Sequence, residues 1–153
     1  MKYLLLFVIL CFITLQVSGE CLDECECQLF TNLALGRLQT ISNMSFTEGA
    51  GCVNKLFCKN NNILGLGSTF SRSELDKPVE SALEPIDILP PDDVKREEVE
   101  AFSQFGIICE NGTWYATKYP RVRYNHGGMV DFPPPFSQYD GKKSEIVFFV
   151  CAT

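Results

Sequence analysis

The chain has 153 residues, a formal net charge of −6 at pH 7 and a hydrophobic content of 46%. This length suits one domain with a modest hydrophobic core. The negative charge argues against nucleic acid as a partner, because binding its phosphates calls for clustered Lys and Arg.

Residues 1–19 have the three parts of a cleavable secretory signal peptide. Lys2 supplies a positive charge, the run 4–13 is apolar, and small residues precede the expected cut before Glu20. The apolar run is too short for a membrane anchor, which takes about 20 apolar residues. We therefore expect a secreted, extracellular protein of residues 20–153 that has no membrane span after cleavage.

The sequence contains eight cysteines, one of which, Cys11, leaves with the signal peptide. Cysteines of a small domain in an oxidising compartment are usually bridged. An odd number cannot all pair within one chain, so one thiol either stays free or links two chains as a disulfide-bonded dimer. The seven remaining disulfide candidates are Cys21, Cys25, Cys27, Cys52, Cys58, Cys109 and Cys151.

Spacing restricts how these cysteines can pair. If the segment between Cys52 and Cys58 is a strand, six steps of about 3.3 Å place the two residues about 20 Å apart. A disulfide needs Cα atoms within about 7 Å of each other. Cys52 and Cys58 should therefore bond to other partners, and Cys109 and Cys151 are the natural candidates.

The segment 20–51 begins with the cysteine cluster. Cys25 and Cys27 alternate faces if the chain is extended there, so they should have different partners. From Gln28 to Ile41, apolar residues recur with mixed spacing, and the sequence leaves helix and extended structure equally open.

Two short strands joined by a turn are predicted next. Residues 52–58 and 63–67 have strand composition, and the Lys-Asn-Asn-Asn stretch at 59–62 is typical of a turn.

The segment 71–100 differs in kind, since it holds ten acidic residues and four prolines and has a net charge of −6. Its first part, 71–91, is predicted to be a solvated acidic loop. A short helix is expected near 93–104, with Asp92 or Asp93 accepting hydrogen bonds from the free N–H groups at its start. Adjacent solvated acids at a helix start are much commoner than a catalytic carboxylate pair, and we expect no such pair here.

The segment 105–153 carries the clearest strand signals. Asn111-Gly112 between two β-rich runs predicts a hairpin, because a type I′ turn needs positive φ at both central residues. Trp114 is expected in the core, whereas Tyr115 and Tyr119 belong to a row that is expected to be half exposed. Residues 144–151 have the composition of a buried strand.

Taken together, these elements predict a mainly β fold. We expect one small disulfide-bonded antiparallel β domain, sandwich-like, with one or two short helices. An extended loop containing three prolines, 133–135, should precede the last strand.

Several of these residues resemble a secreted, cysteine-containing domain of unknown function that is found widely in nematodes. The similarity covers about 45–153 and rests on the stretch Phe46-Thr47-Glu48-Gly49-Ala50-Gly51-Cys52, on Cys58, on Ile108-Cys109-x-Asn111-Gly112-x-Trp114 and on Val150-Cys151. Upstream, Cys25-Glu26-Cys27 is also similar to the N-terminal cysteines of those proteins. The resemblance implies a secreted, β-rich, disulfide-bonded domain and transfers no catalytic residues.

Two N-glycosylation sequons occur, at Asn43 and at Asn111. Asn43 lies in a polar connection, and Asn111 lies at the tip of the predicted hairpin, so we expect both to be acceptors. His126, the only histidine, lies in a turn composition, and a Cys–His nucleophile pair would need a free thiolate beside it. Structural zinc on the cysteine cluster is less favoured than bridges in an oxidising space.

The sequence indicates no catalytic, metal or cofactor site. We therefore expect a non-enzymatic binding or structural module that recognises an extracellular protein or matrix partner. A second hypothesis is a small secreted inhibitor or effector acting through an exposed loop, either 71–91 or 131–141. A third is a thiol-dependent enzyme that uses an unpaired cysteine with His126.

Overall fold

The computed structural model describes residues 24–95 and 99–152, so the signal-peptide prediction and Cys21 lie outside the described residues. The described chain is mainly β, as predicted, with ten strands and two short α-helices. Neither described helix is long and apolar enough to cross a membrane. The strands are β1 Met44–Glu48, β2 Asn54–Cys58, β3 Ile63–Thr69, β4 Pro85–Leu89, β5 Ile108–Glu110, β6 Thr113–Ala116, β7 Arg121–Asn125, β8 Met129–Asp131, β9 Ser144–Glu145 and β10 Phe148–Ala152. The helices are α1 Arg37–Ser42 and α2 Ala101–Gln104, and 3₁₀ turns cover Phe30–Leu33, Phe70–Arg72 and Phe136–Tyr139.

The strands form three antiparallel sheets. The largest has five strands in the order β10-β3-β4-β7-β8. A three-stranded sheet has the order β5-β6-β9, and β1 pairs with β2 alone. The expected antiparallel β fold is therefore confirmed.

The C-terminal segment joins two of these sheets. β9 pairs with β6, and β10 pairs with β3. Between them, the N–H of Ile146 donates to the Trp114 carbonyl at 2.8 Å and the N–H of Val147 donates to the Gly67 carbonyl at 2.9 Å. The single strand expected at 144–151 is therefore two strands, because the segment leaves one sheet and enters the next.

The core lies on one face of the five-stranded sheet. Side chains alternate along a strand, so one face of each strand carries the buried residues. The core-facing residues of this sheet are Leu64, Leu66, Ile86, Ile88, Val122, Tyr124, Phe149 and Cys151. Phe30 is fully buried, and its ring centroid lies 5.0 Å from that of Phe149 and 5.4 Å from that of Trp114. The indole N–H of Trp114 donates to the Gln28 carbonyl at 2.8 Å, which satisfies its polar group.

The prediction of a solvated loop over 71–91 is wrong for residues 85–89. Residues 85–89 form β4, which lies in the middle of the five-stranded sheet. Ile86 and Ile88 point into the core, whereas Asp87 lies on the other face. The prolines and acids that flank this Pro-Ile-Asp-Ile-Leu stretch obscured a short alternating strand.

The predicted helix near 93–104 is much shorter than expected. Asp92 and Asp93 lie in an exposed turn, and α2 begins only at Ala101. Glu100, not an aspartate, caps it by accepting hydrogen bonds from the N–H groups of Phe102 and Ser103. Val99 is buried in a non-helical conformation ahead of the cap.

The hairpin prediction at Asn111-Gly112 is confirmed. Both residues have positive φ, 51° and 76°, and β5 pairs with β6 across them. Trp114 is buried as expected. Tyr119, however, is fully buried and not half exposed. β6 ends at Ala116, so the alternation that placed Tyr119 beside Tyr115 does not extend to it.

The stretch between Gln28 and Ile41 contains both a 3₁₀ turn and α1. This stretch exposes large apolar side chains, since Leu38 is 89% exposed and Leu35 is 53% exposed.

Candidate functional site

The face of the five-stranded sheet that points away from the core is the open face. Part of it is apolar, although one face of an antiparallel sheet is often solvated and polar. The open face carries a groove of about 270 Å³. We call it the open-face groove; its walls are formed by Gly65, Asp87, Leu89, Arg121, Arg123, Phe148 and Val150.

Strand register places these side chains in rows across the sheet. Phe148 is opposite Gly67, Gly67 is opposite Asp87, Asp87 is opposite Arg123, and Arg123 is opposite Asp131. The row beside it contains Val150 opposite Gly65 and Leu89 opposite Arg121. Apolar side chains therefore occupy one half of the groove, and charged side chains occupy the other half.

β3 has two glycines on this face, and Gly65 forms the floor of the apolar half. A Cβ atom built on Gly65 would lie 3.4 Å from Leu89 Cδ2 and 3.5 Å from Val150 Cγ1, so the floor is lined closely by apolar atoms. At Gly67 a Cβ atom would lie 2.2 Å from the Phe148 ring, because that ring lies across the glycine. The Phe148 ring thus closes one end of the groove and depends on glycine at position 67.

The charged half of the groove is positive overall. Arg121 and Arg123 face a single lining acid, Asp87, in a chain whose net charge is −6. Burial raises the pKa of the Asp87 carboxyl, and the charge of Arg123 offsets part of that rise. Arg121 forms an ion pair with the exposed Asp92 outside the groove.

Both arginines have unused hydrogen-bonding capacity within the described chain. The Nε atoms of Arg121 and Arg123 are buried and have no hydrogen-bond partner. A buried donor without an acceptor is costly, whereas a charge-assisted bond to an anion is among the stronger hydrogen bonds. Donors beside an apolar floor are the features of a small-molecule site.

A family model matches residues 23–151 and is described as TRA-1 regulated protein R03H10.4. The chain belongs to this family. The resemblance to a nematode domain is confirmed at the level of a nematode protein family, while secretion is not part of the match. The family description names a regulator and no reaction or ligand. No curated protein and no solved structure matches the chain.

The six cysteines of the described chain all lie within the TRA-1 regulated family match, and they form three disulfides. The pairs are Cys25–Cys52, Cys27–Cys109 and Cys58–Cys151, with Cα–Cα distances of 4.7, 5.9 and 5.5 Å. Cys52 and Cys58 have different partners, as the spacing argument predicted, and so do Cys25 and Cys27. Cys151 is a partner as expected, whereas Cys109 bonds to Cys27 and not to Cys52 or Cys58.

Two of these disulfides are neighbours. The sulfur atoms of Cys25, Cys27 and Cys109 all lie within 4.8 Å of one another. Each of these sulfurs is in a disulfide, so none of them is a thiolate ligand in this structure. The two bridges fasten the N-terminal segment to the β5–β6 hairpin and to the loop before β2.

The remaining residues singled out from the sequence lie apart from the groove. Asn43 is partly buried at the end of α1, whereas Asn111 is exposed at the hairpin tip. His126 is exposed in the turn between β7 and β8, and its Nδ1 lies 3.2 Å from the Ser81 hydroxyl. The six described cysteines are oxidised, so none of them supplies a thiolate to His126.

The residues of the groove were not among the candidates from the sequence. The assignment of 71–91 to a loop hid Asp87 and Leu89, and Arg121 and Arg123 lie outside the motifs that pointed to a site. An available signal was the alternation Arg-Val-Arg-Tyr over 121–124, which places both arginines on one face of a strand.

Proposed function

We propose that this protein is a secreted, non-enzymatic binding module that holds its ligand in the open-face groove. The observation that carries the proposal is the apolar glycine floor beside Arg121 and Arg123, on the face of the sheet that the core does not use. The large apolar side chains of Leu89 and Phe148 lie there, outside the cluster of buried residues that forms the core. Exposed apolar surface with a charged rim is typical of ligand-binding grooves.

The scaffold around the groove suits binding without a large conformational change. β3, which forms the floor, has β10 on one side and β4 on the other. The disulfide between Cys58 and Cys151 holds the end of β10. A site built on paired strands is held more rigidly than a site on loops, and this rigidity lowers the cost of ordering on binding.

Substitution of Gly65 tests the proposed site. Gly65→Val adds an isopropyl group at the floor, where a Cβ atom meets only side-chain atoms at ordinary contact distance. Because Val also favours strand structure, we expect the variant to fold and the groove to be filled. Wild-type protein should enhance the fluorescence of Nile red, a neutral apolar dye, and Gly65→Val should abolish this enhancement.

The matched control for this experiment is Thr47→Val, which places the same side chain at an exposed position of β1. Thr47→Val should bind the dye like wild-type protein. Equal dye binding by Gly65→Val and wild-type protein would show that the groove is not the site.

One measurement tests both the proposed secretion and the proposed glycosylation. Mass spectrometry of the protein released from expressing cells should give an N-terminus at Glu20 and glycans on Asn43 and Asn111. An N-terminus at Met1 would contradict the export proposal.

The proposed secreted chain has seven cysteines, so one of them has no partner within the chain. Since the six described cysteines pair among themselves, the thiol left over is that of Cys21, and it is free or links two chains. A dimer on a non-reducing gel that disappears in Cys21→Ser would support the disulfide-linked form. Alkylation of one thiol in a monomer would support the free form.

A second candidate is a secreted inhibitor or effector that acts through the loop 131–141. This loop is braced from within, because the Gln138 amide and the Tyr139 hydroxyl both donate to the Pro133 carbonyl, at 2.9 and 3.0 Å. Phe132 is buried below it and packs edge-on against Tyr139. Inhibition of a panel of secreted hydrolases that is lost when 133–138 is replaced by a Gly-Ser segment would favour this candidate over the groove.

A further inference from the structure

We infer that the open-face groove takes a small amphiphilic monocarboxylate, whose chain lies on the Gly65 floor and whose carboxylate is held by Arg121 and Arg123. This inference rests on the proposed function and specifies its ligand class. The ligand is a free small molecule, because the groove is of small-molecule size.

The charges of the groove select an anion. The lining contains two arginines and one aspartate, so it is positive within a protein that is negative overall. Arginine presents planar donors that match a carboxylate, and both buried Nε atoms here have no acceptor within the described chain. A carboxylate between the two side chains would supply acceptors to both guanidinium groups.

The acids near the arginines do not cancel this preference. Asp92, which pairs with Arg121, is 80% exposed, and exposed ion pairs are strongly screened by water. Asp131 is opposite Arg123 on the exposed edge strand β8 and does not line the groove. Asp87 lines it and is opposite Arg123, which offsets its charge, so the charge of Arg121 remains for a bound anion.

The apolar half sets the size of the ligand body. Leu89, Val150 and the Phe148 ring surround the floor, and the groove volume is about 270 Å³. At about 30 Å³ for each water-sized group, about nine non-hydrogen atoms of a ligand fit inside the groove, and a larger molecule such as Nile red would extend out of its open side. A fatty acid of about eight carbons has this size, and each buried methylene adds about 0.8 kcal/mol to transfer from water.

The test compares three eight-carbon probes by calorimetry or by displacement of Nile red from the complete secreted protein. Octanoate carries the carboxylate, octanol is neutral and octylammonium is cationic. Octanoate should bind at least tenfold more tightly than octanol, and octylammonium should bind most weakly. Arg123→Gln should weaken octanoate binding by about tenfold and leave octanol binding unchanged, as expected for loss of one charge-assisted contact.

Lys55→Gln is the matched control, because it removes one positive charge at an exposed position of β2 outside the groove. It should not change octanoate binding. Higher salt should weaken octanoate binding and not octanol binding, since salt screens only the charged contact.

The outcomes separate this inference from the proposed function. Equal binding of octanoate and octanol, with both lost in Gly65→Val, would overturn the ligand class and leave the groove as a binding site. Failure of Nile red and of all three probes to bind would overturn both the inference and the groove proposal. Octanoate binding that survives Gly65→Val would show that the carboxylate binds elsewhere.

Discussion

Glu100 connects two parts of the fold through one carboxylate. Its Oε1 accepts from the N–H groups of Leu56 and Phe102, each at 3.1 Å, and its Oε2 accepts from Ser103 at 2.8 Å. Leu56 lies in β2 and is fully buried, whereas the other two donors are at the start of α2. Glu100→Ala would remove an N-cap and leave the Leu56 N–H of a buried strand without an acceptor.

The expected loss of unfolding free energy follows from these two effects. Replacing an N-cap by Ala costs about 0.5–2 kcal/mol. Leaving a buried N–H unsatisfied costs about 1–3 kcal/mol, although water reaches part of this site and reduces the penalty. We therefore expect Glu100→Ala to be less stable than wild-type protein by about 2–4 kcal/mol at pH 7. Glu100→Gln, which keeps one amide oxygen, should fall in between.

The difference in unfolding free energy between wild-type protein and Glu100→Ala should depend on pH. Burial alone would raise the pKa of Glu100, but hydrogen bonds from Ser103, Leu56 and Phe102 outweigh it and lower the pKa. The charged form is therefore favoured in the folded state, so its stabilisation is fully present above the unfolded pKa of about 4.3. It is lost as the pH falls through the folded pKa. The difference between wild-type protein and Glu100→Ala should shrink in this acid range.

Urea denaturation at pH 7 and at about pH 3, followed by tryptophan fluorescence, measures both effects, since Trp114 is the only tryptophan and is buried. Glu80→Ala removes an exposed carboxylate and should change stability by less than about 0.5 kcal/mol. The reasoning fails if Glu100→Ala also falls within that limit at pH 7, or if its loss is the same at both pH values.

Two further predictions concern buried groups of the scaffold. Burial raises the pKa of Tyr119 to about 12, so its stabilisation should be lost as the pH rises from about 10 through 12. Tyr119→Phe should be less stable than wild-type protein at pH 7 by about 1–2 kcal/mol, because it removes the hydroxyl that lies 2.8 Å from the Ser144 hydroxyl. The stability of this variant should also vary less with pH between about 10 and 12. An alkaline stability profile like that of wild-type protein would contradict the assignment to Tyr119. Replacing Cys58 and Cys151 by Ala removes a bridge across 93 residues and should lower the unfolding free energy by about 4–5 kcal/mol in the loop-entropy account. A loss no larger than that from removal of Cys25–Cys52, which spans 27 residues, would refute the dependence on loop length.

Local signals were sufficient for part of this fold. The Asn111-Gly112 turn and the buried Trp114 could be predicted because their cause lies within a few residues. The absence of a disulfide between Cys52 and Cys58 could be predicted because an extended segment fixes the distance between them. The full set of disulfide pairs could not be predicted, since β5 meets the N-terminal segment only in the folded chain.

The elements that were missed are fixed by tertiary contacts. β4 is five residues long and lies among acids and prolines, and it is a strand because β3 and β7 pair with it on both sides. Tyr119 is buried because the chain turns inwards after Ala116, which alternation along β6 does not reveal. The candidate site was missed for the same reason, because its rows bring together residues from β3, β4, β7 and β10.

The passage of residues 144–152 from one sheet to the other has a consequence for how this family can tolerate changes of length. Only Ile146 and Val147 separate β9 from β10, and both bond to the strands of neighbouring sheets. An insertion of one residue there would shift every side chain of β10 to the opposite face and move Cys151 away from Cys58. Insertions and deletions should therefore accumulate in connections such as 76–84, while the spacing between β9 and β10 stays constant among relatives.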